Sequence, residues 1–187
     1  MKIAIALVFL MNSAFALTGL KVGDKTPITS LKAISGEELN LEKGTNVLVF
    51  YRGSWCPYCV TQLKNIKSYL EPKLEGKNIK LIAVSVDQEK VAKKMKRNFN
   101  FSFDIVSDPK AETLKKFKIV NKLEDKLVKK YKNSYGIDVE ADSGEDHHLV
   151  AHPGVFIVAD GKIIFADVHV NYKQRTNNKD ILKALGL

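Results

Sequence analysis

The stretch that decides the fold is residues 46–63, NVLVFYRGSWCPYCVTQL. Its first six residues form an apolar run, which is typical of a central strand buried on both faces. Pro57 suits the first turn of a helix, and apolar residues then recur at helical spacing, at Val60, Leu63, Ile66, Leu70 and Leu74. Pro72 predicts that this helix kinks or ends. The chain's only two cysteines, Cys56 and Cys59, therefore lie where a strand passes into a helix.

This placement predicts redox chemistry. The positive end of a helix lowers the pKa of Cys56, and the resulting thiolate is a nucleophile. One helical turn separates the two thiols, so the pair can close a disulfide without movement of the backbone. We expect Cys56 to attack and the more buried Cys59 to resolve the mixed disulfide. Trp55 is expected to cover the rim of the site.

Strands and helices alternate outward from this stretch, which predicts an α/β fold with a central mixed β-sheet flanked by helices. Residues 160–161 are an Asp-Gly pair between two strand patterns, a strong hairpin signal. There is no repeat and no linker, so residues 17–187 are predicted to be a single domain. The remaining predicted elements are a hairpin or strand edge at 35–41, strands at 79–86, 103–106, 154–159 and 162–168, helices at 88–98, 110–117, 123–131 and 178–185, and an acidic loop at 138–146.

The N-terminus has the pattern of a secretory signal peptide. Lys2 precedes an apolar run over residues 3–10, and Ala14-Phe15-Ala16 is a small-x-small cleavage site. We expect cleavage after Ala16 and export, with the bacterial periplasm as the expected compartment. In an oxidising compartment a Cys pair rests as a disulfide unless a dedicated reductant opens it, so a membrane-linked thiol reductant is an expected partner.

The formal net charge is +9, which raises the question of an anionic partner. The lysines are spread through helical patterns, as at Lys126, Lys129 and Lys130, and lack the interleaved aromatic residues that stack on bases. We therefore expect solvated helix faces and no nucleic-acid binding. The oligomeric state stays open.

Four segments carry a family resemblance: FYRGSWCPYC (50–59), LIAVSVD (81–87), YGIDV (135–139) and the stretch from 154 to 175. In this order they resemble the peroxiredoxin-like branch of the alkyl hydroperoxide reductase/thiol-specific antioxidant superfamily, AhpC/TSA, which implies a thioredoxin-like fold. The resemblance also implies that Pro153 is a cis-proline facing the thiols. A substrate would dock on its free backbone groups, with Trp55, Pro57 and Tyr58 around it.

The resemblance leaves two kinds of substrate open, disulfides and peroxides. Peroxiredoxins carry Pro-x-x-x-Thr-x-x-Cys and an arginine at the start of the late strand. In this sequence Cys56 occupies the position of that threonine, and Pro153 occupies the position of that arginine. Arg52 is a possible anion-stabilising group, but nothing in the sequence aims it or Arg175 at the thiols. This favours exchange with a protein disulfide or small thiol. A peroxiredoxin-type peroxidase with Cys59 as the peroxidatic residue is the alternative.

The sequence also departs from thioredoxins in its buried acid. Thioredoxins place an acid six residues before the first cysteine, where this chain has Phe50. Proton transfer is then left to water or another group. Asp87, at the end of the second strand, is interpreted as a structural cap or a surface group.

A third alternative is a copper-binding chaperone. His152 precedes the late strand where the similar Sco family places a histidine beside two thiols, so Cys56, Cys59 and His152 are the candidate ligands. The cysteine spacing differs from that family. A structural zinc site built from Cys56, Cys59, His148 and His152 is disfavoured, because the cysteines are far from the histidines in the chain and lie between a strand and a helix. The expected redox group is the Cys56–Cys59 disulfide, with no cofactor and no metal.

Overall fold

The computed structural model describes residues 18–187, so the predicted signal peptide lies outside the described part of the chain. The predicted α/β fold is confirmed, with a central mixed sheet flanked by helices. The strands are β1 (Ser30–Lys32), β2 (Glu38–Asn40), β3 (Thr45–Phe50), β4 (Ile79–Ser85), β5 (Asp104–Ser107), β6 (Val120–Lys122), β7 (Leu149–Ala151), β8 (Gly154–Ala159) and β9 (Lys162–Val168).

Five of these strands form the main sheet in the order β5-β4-β3-β8-β9. β3 is the central strand: it runs parallel to β4 and antiparallel to β8. β4 and β5 are parallel, and the hairpin partners β8 and β9 are antiparallel. Two small antiparallel ladders lie outside this sheet, β1 with β2 and β6 with β7.

Helices cover the sheet and account for the helical spacings in the sequence. They are α1 (Pro57–Asn65), α2 (Glu71–Leu74), α3 (Glu89–Phe99), α4 (Glu112–Lys116), α5 (Asp125–Tyr135), α6 (Val139–Ser143) and α7 (Asn178–Ala184), with a π-helical turn (Ile66–Leu70) joining α1 to α2. No helix within residues 18–187 has both the length and the apolar character needed to cross a membrane.

β3 divides the apolar core into two parts because successive side chains point to opposite faces of the sheet. Leu48 and Phe50 pack in the cluster that contains Phe117. Val47 and Val49 pack in the cluster that contains α1 and both cysteines. All four β3 side chains are fully buried, and each such burial stabilises the fold by about 1.5–3 kcal/mol. The cysteine pair is thus built into one half of the core.

The kink predicted at Pro72 takes the form of the π-helical turn that precedes it. The backbone N–H of Glu71 donates to the Ile66 carbonyl, five residues back. Proline has no N–H and crowds the preceding turn, so widening the helix just before it accommodates the ring. The apolar stripe still continues to Leu74, which is buried.

The acidic stretch at 138–146 differs from the loop that was predicted there. Helix α6 occupies its first half, and the Asp138 carboxylate accepts a hydrogen bond from the Ala141 N–H at 3.1 Å as an N-terminal cap. The β6–β7 ladder was also missed. Each of its strands has three residues, which is too short for an apolar period to stand out.

Candidate active site

Cys56 and Cys59 lie at the first turn of α1, the helix that follows β3 in the chain. Cys56 is the residue before the helix, with extended backbone angles, and its carbonyl accepts the N–H groups of Cys59 at 3.0 Å and Val60 at 3.1 Å. Both side chains are buried, Cys56 with 1% and Cys59 with 0% of its surface exposed. Neither sulfur is part of a disulfide, so the structure describes the dithiol form.

The environment of the two thiols separates their pKa values. A hydrogen bond from the Cys59 thiol lowers the pKa of Cys56 to about 6, against the opposing effect of burial, and Arg52 and Arg175 add to the lowering. Burial, followed by the neighbouring Cys56, raises the pKa of Cys59. Near neutral pH this arrangement stabilises a thiolate on Cys56 and a proton on Cys59.

Arg175 contacts both thiols. Its Nη2 lies 3.3 Å from Cys59 Sγ and 4.0 Å from Cys56 Sγ. Its Nη1 donates to the Gln174 carbonyl at 2.6 Å and also to the Tyr172 carbonyl, so the backbone of the loop after β9 orients the guanidinium. Sequence reasoning did not aim this side chain at the thiols. The only signal was its position at the end of the family-like stretch that closes at residue 175.

Arg52 acts on the thiols through its charge and its backbone. Its guanidinium carbon lies 4.9 Å from the ring centre of Trp55 and 4.6 Å from that of Tyr172. Nη2 donates to the Tyr131 hydroxyl at 3.3 Å, and the backbone N–H donates to Cys59 Sγ at 3.5 Å. The side chain therefore lies near the pair, and no contact joins its guanidinium to either sulfur.

The aromatic residues of the motif form the rim of the site. Trp55 is half-buried and packs against Tyr131 with ring centres 5.4 Å apart. Tyr58 is 43% exposed and meets Tyr172 edge to face at 5.8 Å. Pro57 is exposed at the first position of α1. Trp55, Pro57 and Tyr58 line the same concave surface as Cys56.

The expected cis-proline at Pro153 is wrong, because every peptide bond within residues 18–187 is trans. β3 pairs Phe50 with Gly154, so Pro153 does stand at the end of the sheet where the Cys56 loop begins. Its carbonyl accepts the His169 N–H at 2.8 Å, and the His152 N–H donates to the Ile119 carbonyl at 2.7 Å. The chain passes extended between β7 and β8 with these backbone groups already paired. Two of the backbone groups beside the predicted docking site are therefore already paired within the fold.

The histidines do not join the cysteines. The His148 ring bridges Asp125 at 3.0 Å and Glu140 at 2.7 Å, and the bond to Glu140 raises its pKa. His152 is half-buried, and burial lowers its pKa. Among the described residues no three His, Cys, Asp or Glu side chains are grouped closely enough to hold a metal ion. The ligand set Cys56, Cys59 and His152 is thus not assembled in this arrangement.

Asp87 is a buried part of the site and is not a surface group. Its Oδ2 accepts the Ser54 N–H at 2.8 Å and the Ser85 hydroxyl at 3.0 Å, while Oδ1 is buried without a hydrogen-bond partner. Burial raises the pKa of Asp87 to about 7. The carboxyl group thereby ties the end of β4 to the loop that carries Cys56. The one sequence signal for this role was that Asp87 is a polar residue directly after an apolar strand.

Two concave surfaces lie beside the cysteine pair, and both are lined by Pro57 and Tyr58. The α1 groove, of about 910 Å³, is lined by residues that include Tyr58, Tyr69 and Arg175. The α5 groove, of about 420 Å³, lies between the Cys56 loop and α5 and is lined by residues that include Arg52, Cys56, Leu127, Lys130, Tyr131 and Tyr172. Cys56 is thus reached from the α5 side.

The sheet order, the strand-to-helix cysteines and the covering helices define a thioredoxin-fold protein of the peroxiredoxin-like class. The chain belongs to the AhpC/TSA family, whose sequence model matches residues 22–166. Solved structures share the fold. Peroxidoxin BcpB from Mycobacterium tuberculosis has a TM-score of 0.64 at 17% identity, covering 89% of this chain and 95% of that one. A cysteine-to-serine mutant of PrxQ from Xylella fastidiosa has a TM-score of 0.66 at 18% identity, covering 90% of this chain and 97% of that one.

The curated relatives that match this chain are named as thiol-disulfide oxidoreductases. ResA, a thiol-disulfide oxidoreductase of Bacillus thuringiensis subsp. konkukian (strain 97-27), is 23% identical over 104 residues, 54% of this chain and 60% of its own length. Sporulation thiol-disulfide oxidoreductase A of Bacillus subtilis (strain 168) is 29% identical over 96 residues, 48% of this chain and 57% of its own length. The match therefore spans less than two thirds of these relatives.

Proposed function

We propose that this protein is an exported thiol-disulfide oxidoreductase that works through Cys56 and Cys59. The observation that carries the proposal is the opposite displacement of the two pKa values, with Cys56 lowered to about 6 and Cys59 raised. A thiolate beside a protonated thiol is what the two steps of disulfide exchange need in turn. The names of the curated relatives support the same reaction class.

In the first step the Cys56 thiolate attacks one sulfur of a substrate disulfide. The substrate S–S bond breaks, one substrate sulfur leaves as a thiolate, and a mixed disulfide joins the other to Cys56. Cys59 then gives up its proton and attacks Cys56 Sγ, which releases the second substrate thiolate. The substrate gains two electrons and the protein ends as the Cys56–Cys59 disulfide. A thiol reductant of the exporting cell restores the dithiol by the same exchange.

The two single-cysteine variants test this assignment. With Cys59→Ser, we expect the Cys56 thiolate to attack the disulfide of an oxidised client protein, and the client to remain attached to Cys56 as a mixed disulfide that mass spectrometry detects. With Cys56→Ser, we expect no such adduct because Cys59 holds its proton. An adduct that forms equally on both variants would remove the assigned order of attack.

A peroxidase is the second candidate, and one contact favours it. Arg175 Nη2 is 3.3 Å from Cys59 Sγ and supplies the guanidinium that sequence reasoning found missing. In this reaction a Cys59 thiolate attacks a peroxide oxygen, the O–O bond breaks, and an alcohol or water leaves. Cys56 then attacks the sulfenic acid on Cys59, forming the disulfide and releasing water.

Peroxide added to the reduced protein separates the two candidates. Trp55 is the only tryptophan and packs beside the site, so stopped-flow fluorescence reports oxidation of the pair. Oxidation no faster than that of a free thiol argues for disulfide exchange. Rapid oxidation, with a dimedone adduct on Cys59 in Cys56→Ser, would establish the peroxidase instead.

Export is a separate part of the proposal and rests on the pattern in residues 1–16. A C-terminally tagged full-length chain should appear in the exported fraction with Leu17 as its first residue. N-terminal sequencing and fractionation check this, with a chain lacking residues 2–16 as the control. Retention of Met1 in the exporting host would refute cleavage.

A further inference from the structure

We propose, on the basis of the proposed function, that the α5 groove docks a client segment that carries acidic residues beside its disulfide. The groove begins at Cys56, the residue assigned to attack, so an occupant of the groove would present a sulfur to it. A small disulfide or a peroxide needs no such surface. The structure thus points to an acidic polypeptide segment as the substrate class.

The shape of the groove suits an extended segment. Its wall beside Cys56 is apolar and aromatic, with Tyr131 and Leu127 from α5. A second concavity of about 430 Å³ continues it away from Cys56 and shares Arg52, Leu127, Lys130 and Tyr172 with the first. The continuous surface therefore has an apolar part next to the thiol and a polar part farther along.

The polar part is strongly basic. Lys122, Lys126 and Lys130 line it, and Glu124 is the one carboxylate among its lining residues. Lys126 and Lys130 are one helical turn, about 6 Å, apart. Both are exposed, and neither forms an ion pair among residues 18–187. Their charges are thus free to meet carboxylates of a partner.

The other charges of α5 do not neutralise this surface. Asp125 is turned to the His148 ring at 3.0 Å, and Lys132 pairs with Asp138 at 2.8 Å. Arg52 is buried between two aromatic rings, and its positive charge adds to the basic character of the groove. In the α1 groove, by contrast, Arg175 is held by loop carbonyls and by the thiols, which leaves Lys179 as the one other cation that lines it. Charge complementarity therefore favours the α5 side.

The test compares two synthetic peptides that differ only in charge. Each carries one cysteine joined by a disulfide to 5-thio-2-nitrobenzoate, flanked by four glutamates in one peptide and four lysines in the other. Release of the coloured thiol measures the second-order rate constant for attack by Cys56. At low salt we expect the acidic peptide to react about 10-fold faster, and at 0.5 M salt we expect the ratio to approach one.

Charge-reversal variants locate the effect. Lys126→Glu/Lys130→Glu should bring the ratio below one, while Lys94→Glu/Lys129→Glu, the same change of net charge at exposed positions outside the groove, should preserve it. Equal rate constants for both peptides in the wild-type protein at low salt would overturn the inference. So would a preference that only the control variant removes.

The outcomes also separate this inference from the function on which it rests. Exchange with both peptides at one rate overturns the acidic-client inference alone. If the protein exchanges with neither peptide and also not with neutral 2-hydroxyethyl disulfide, the proposed function is overturned. Binding to vesicles of anionic lipid that depends on Lys126 and Lys130, without a peptide preference, would assign the surface to a membrane and overturn the inference.

Discussion

Arg175 Nη2 lies 3.3 Å from Cys59 Sγ, although 116 residues separate the two in the chain. The guanidinium reaches the site from the loop after β9, and Cys59 reaches it from α1. Because Arg175 lowers the pKa of both cysteines, one side chain acts on both halves of the redox pair. A peroxiredoxin-like site thus acquires its guanidinium from a loop and not from the start of the late strand.

Replacing Arg175 with methionine removes this charge and should raise the pKa of Cys56 by about one unit. A thiol with a pKa of about 6 is about nine-tenths ionised at pH 7, and one unit higher it is half ionised. Thiolate absorbance at 240 nm across pH 4–9 measures the change. Arg97→Met, on α3, is the control and should leave the titration in place. An unchanged titration in Arg175→Met would contradict the electrostatic role.

Removing the Cys59 thiol should raise the pKa of Cys56 further. The hydrogen bond from the Cys59 thiol is the largest cause of the lowering to about 6, so Cys59→Ala leaves the backbone N–H of residue 59, Arg52 and Arg175 to oppose burial. The pH profile of alkylation by iodoacetamide should move upward by more than one unit. Cys59→Ser keeps a donor at the same place and should move it less. Equal profiles for both variants would show that the donor is unimportant.

The buried Asp87 should make stability fall as the pH rises. Its folded pKa is about 7, against 3.8 for an ordinary aspartate, so the folded state holds the proton more tightly. Its contribution to the free energy of unfolding is therefore lost between about pH 4 and pH 7. Asp87→Asn keeps an acceptor for Ser54 and cannot ionise. Relative to wild type it should gain about 2.5 kcal/mol between pH 5 and pH 8.

Urea unfolding at the two pH values measures this difference, and the titration of Cys56 cancels because both proteins contain it. Asp146→Asn, at an exposed position, serves as the control and should show no such gain. If wild type and Asp87→Asn follow the same pH dependence, the carboxyl group is ionised in the folded protein throughout this range.

The close approach of neighbouring side chains leaves no room for a side chain at Gly53. A methyl group there would lie 2.4 Å from Trp55 Nε1 and 3.0 Å from Asp87 Oδ1. Gly53→Ala should therefore displace the indole and destabilise the fold by about 1–3 kcal/mol, with a shift in the Trp55 emission spectrum. Gly76→Ala meets no atom within 4 Å at a φ of +73° and measures backbone strain alone. Equal losses without a spectral shift would refute the packing argument.

The parts of the fold visible in the sequence are those whose apolar period is long. β3, β4, β8 and β9 each have six or seven residues, and their burial leaves a continuous or alternating apolar pattern. The three-residue β6 and β7 and the capped turn of α6 give no comparable signal. Their formation depends on tertiary pairing, which a local pattern does not carry.

The residues of the candidate site likewise fall into those that a local sequence pattern predicts and those that it does not. The Cys56 and Cys59 positions follow from a local strand-to-helix pattern, whereas the approach of Arg175 depends on where a distant loop ends. The sequence left Asp87 open between a structural cap and a surface group, and only the tertiary structure shows that it is buried and accepts the Ser54 N–H. The cis form expected of Pro153 came from the family resemblance, and the bond is trans in this chain.

The paired backbone on either side of Pro153 has a consequence for client selection. A partner strand added here could not use the His152 N–H or the Pro153 carbonyl to set its register, because both are already paired. Affinity would then depend more on side chains around Cys56, which lie on helices and loops. For the oxidoreductase proposed above, exchanging a few of those residues would change which clients it selects, while β3, β8 and the position of the cysteines stay as they are.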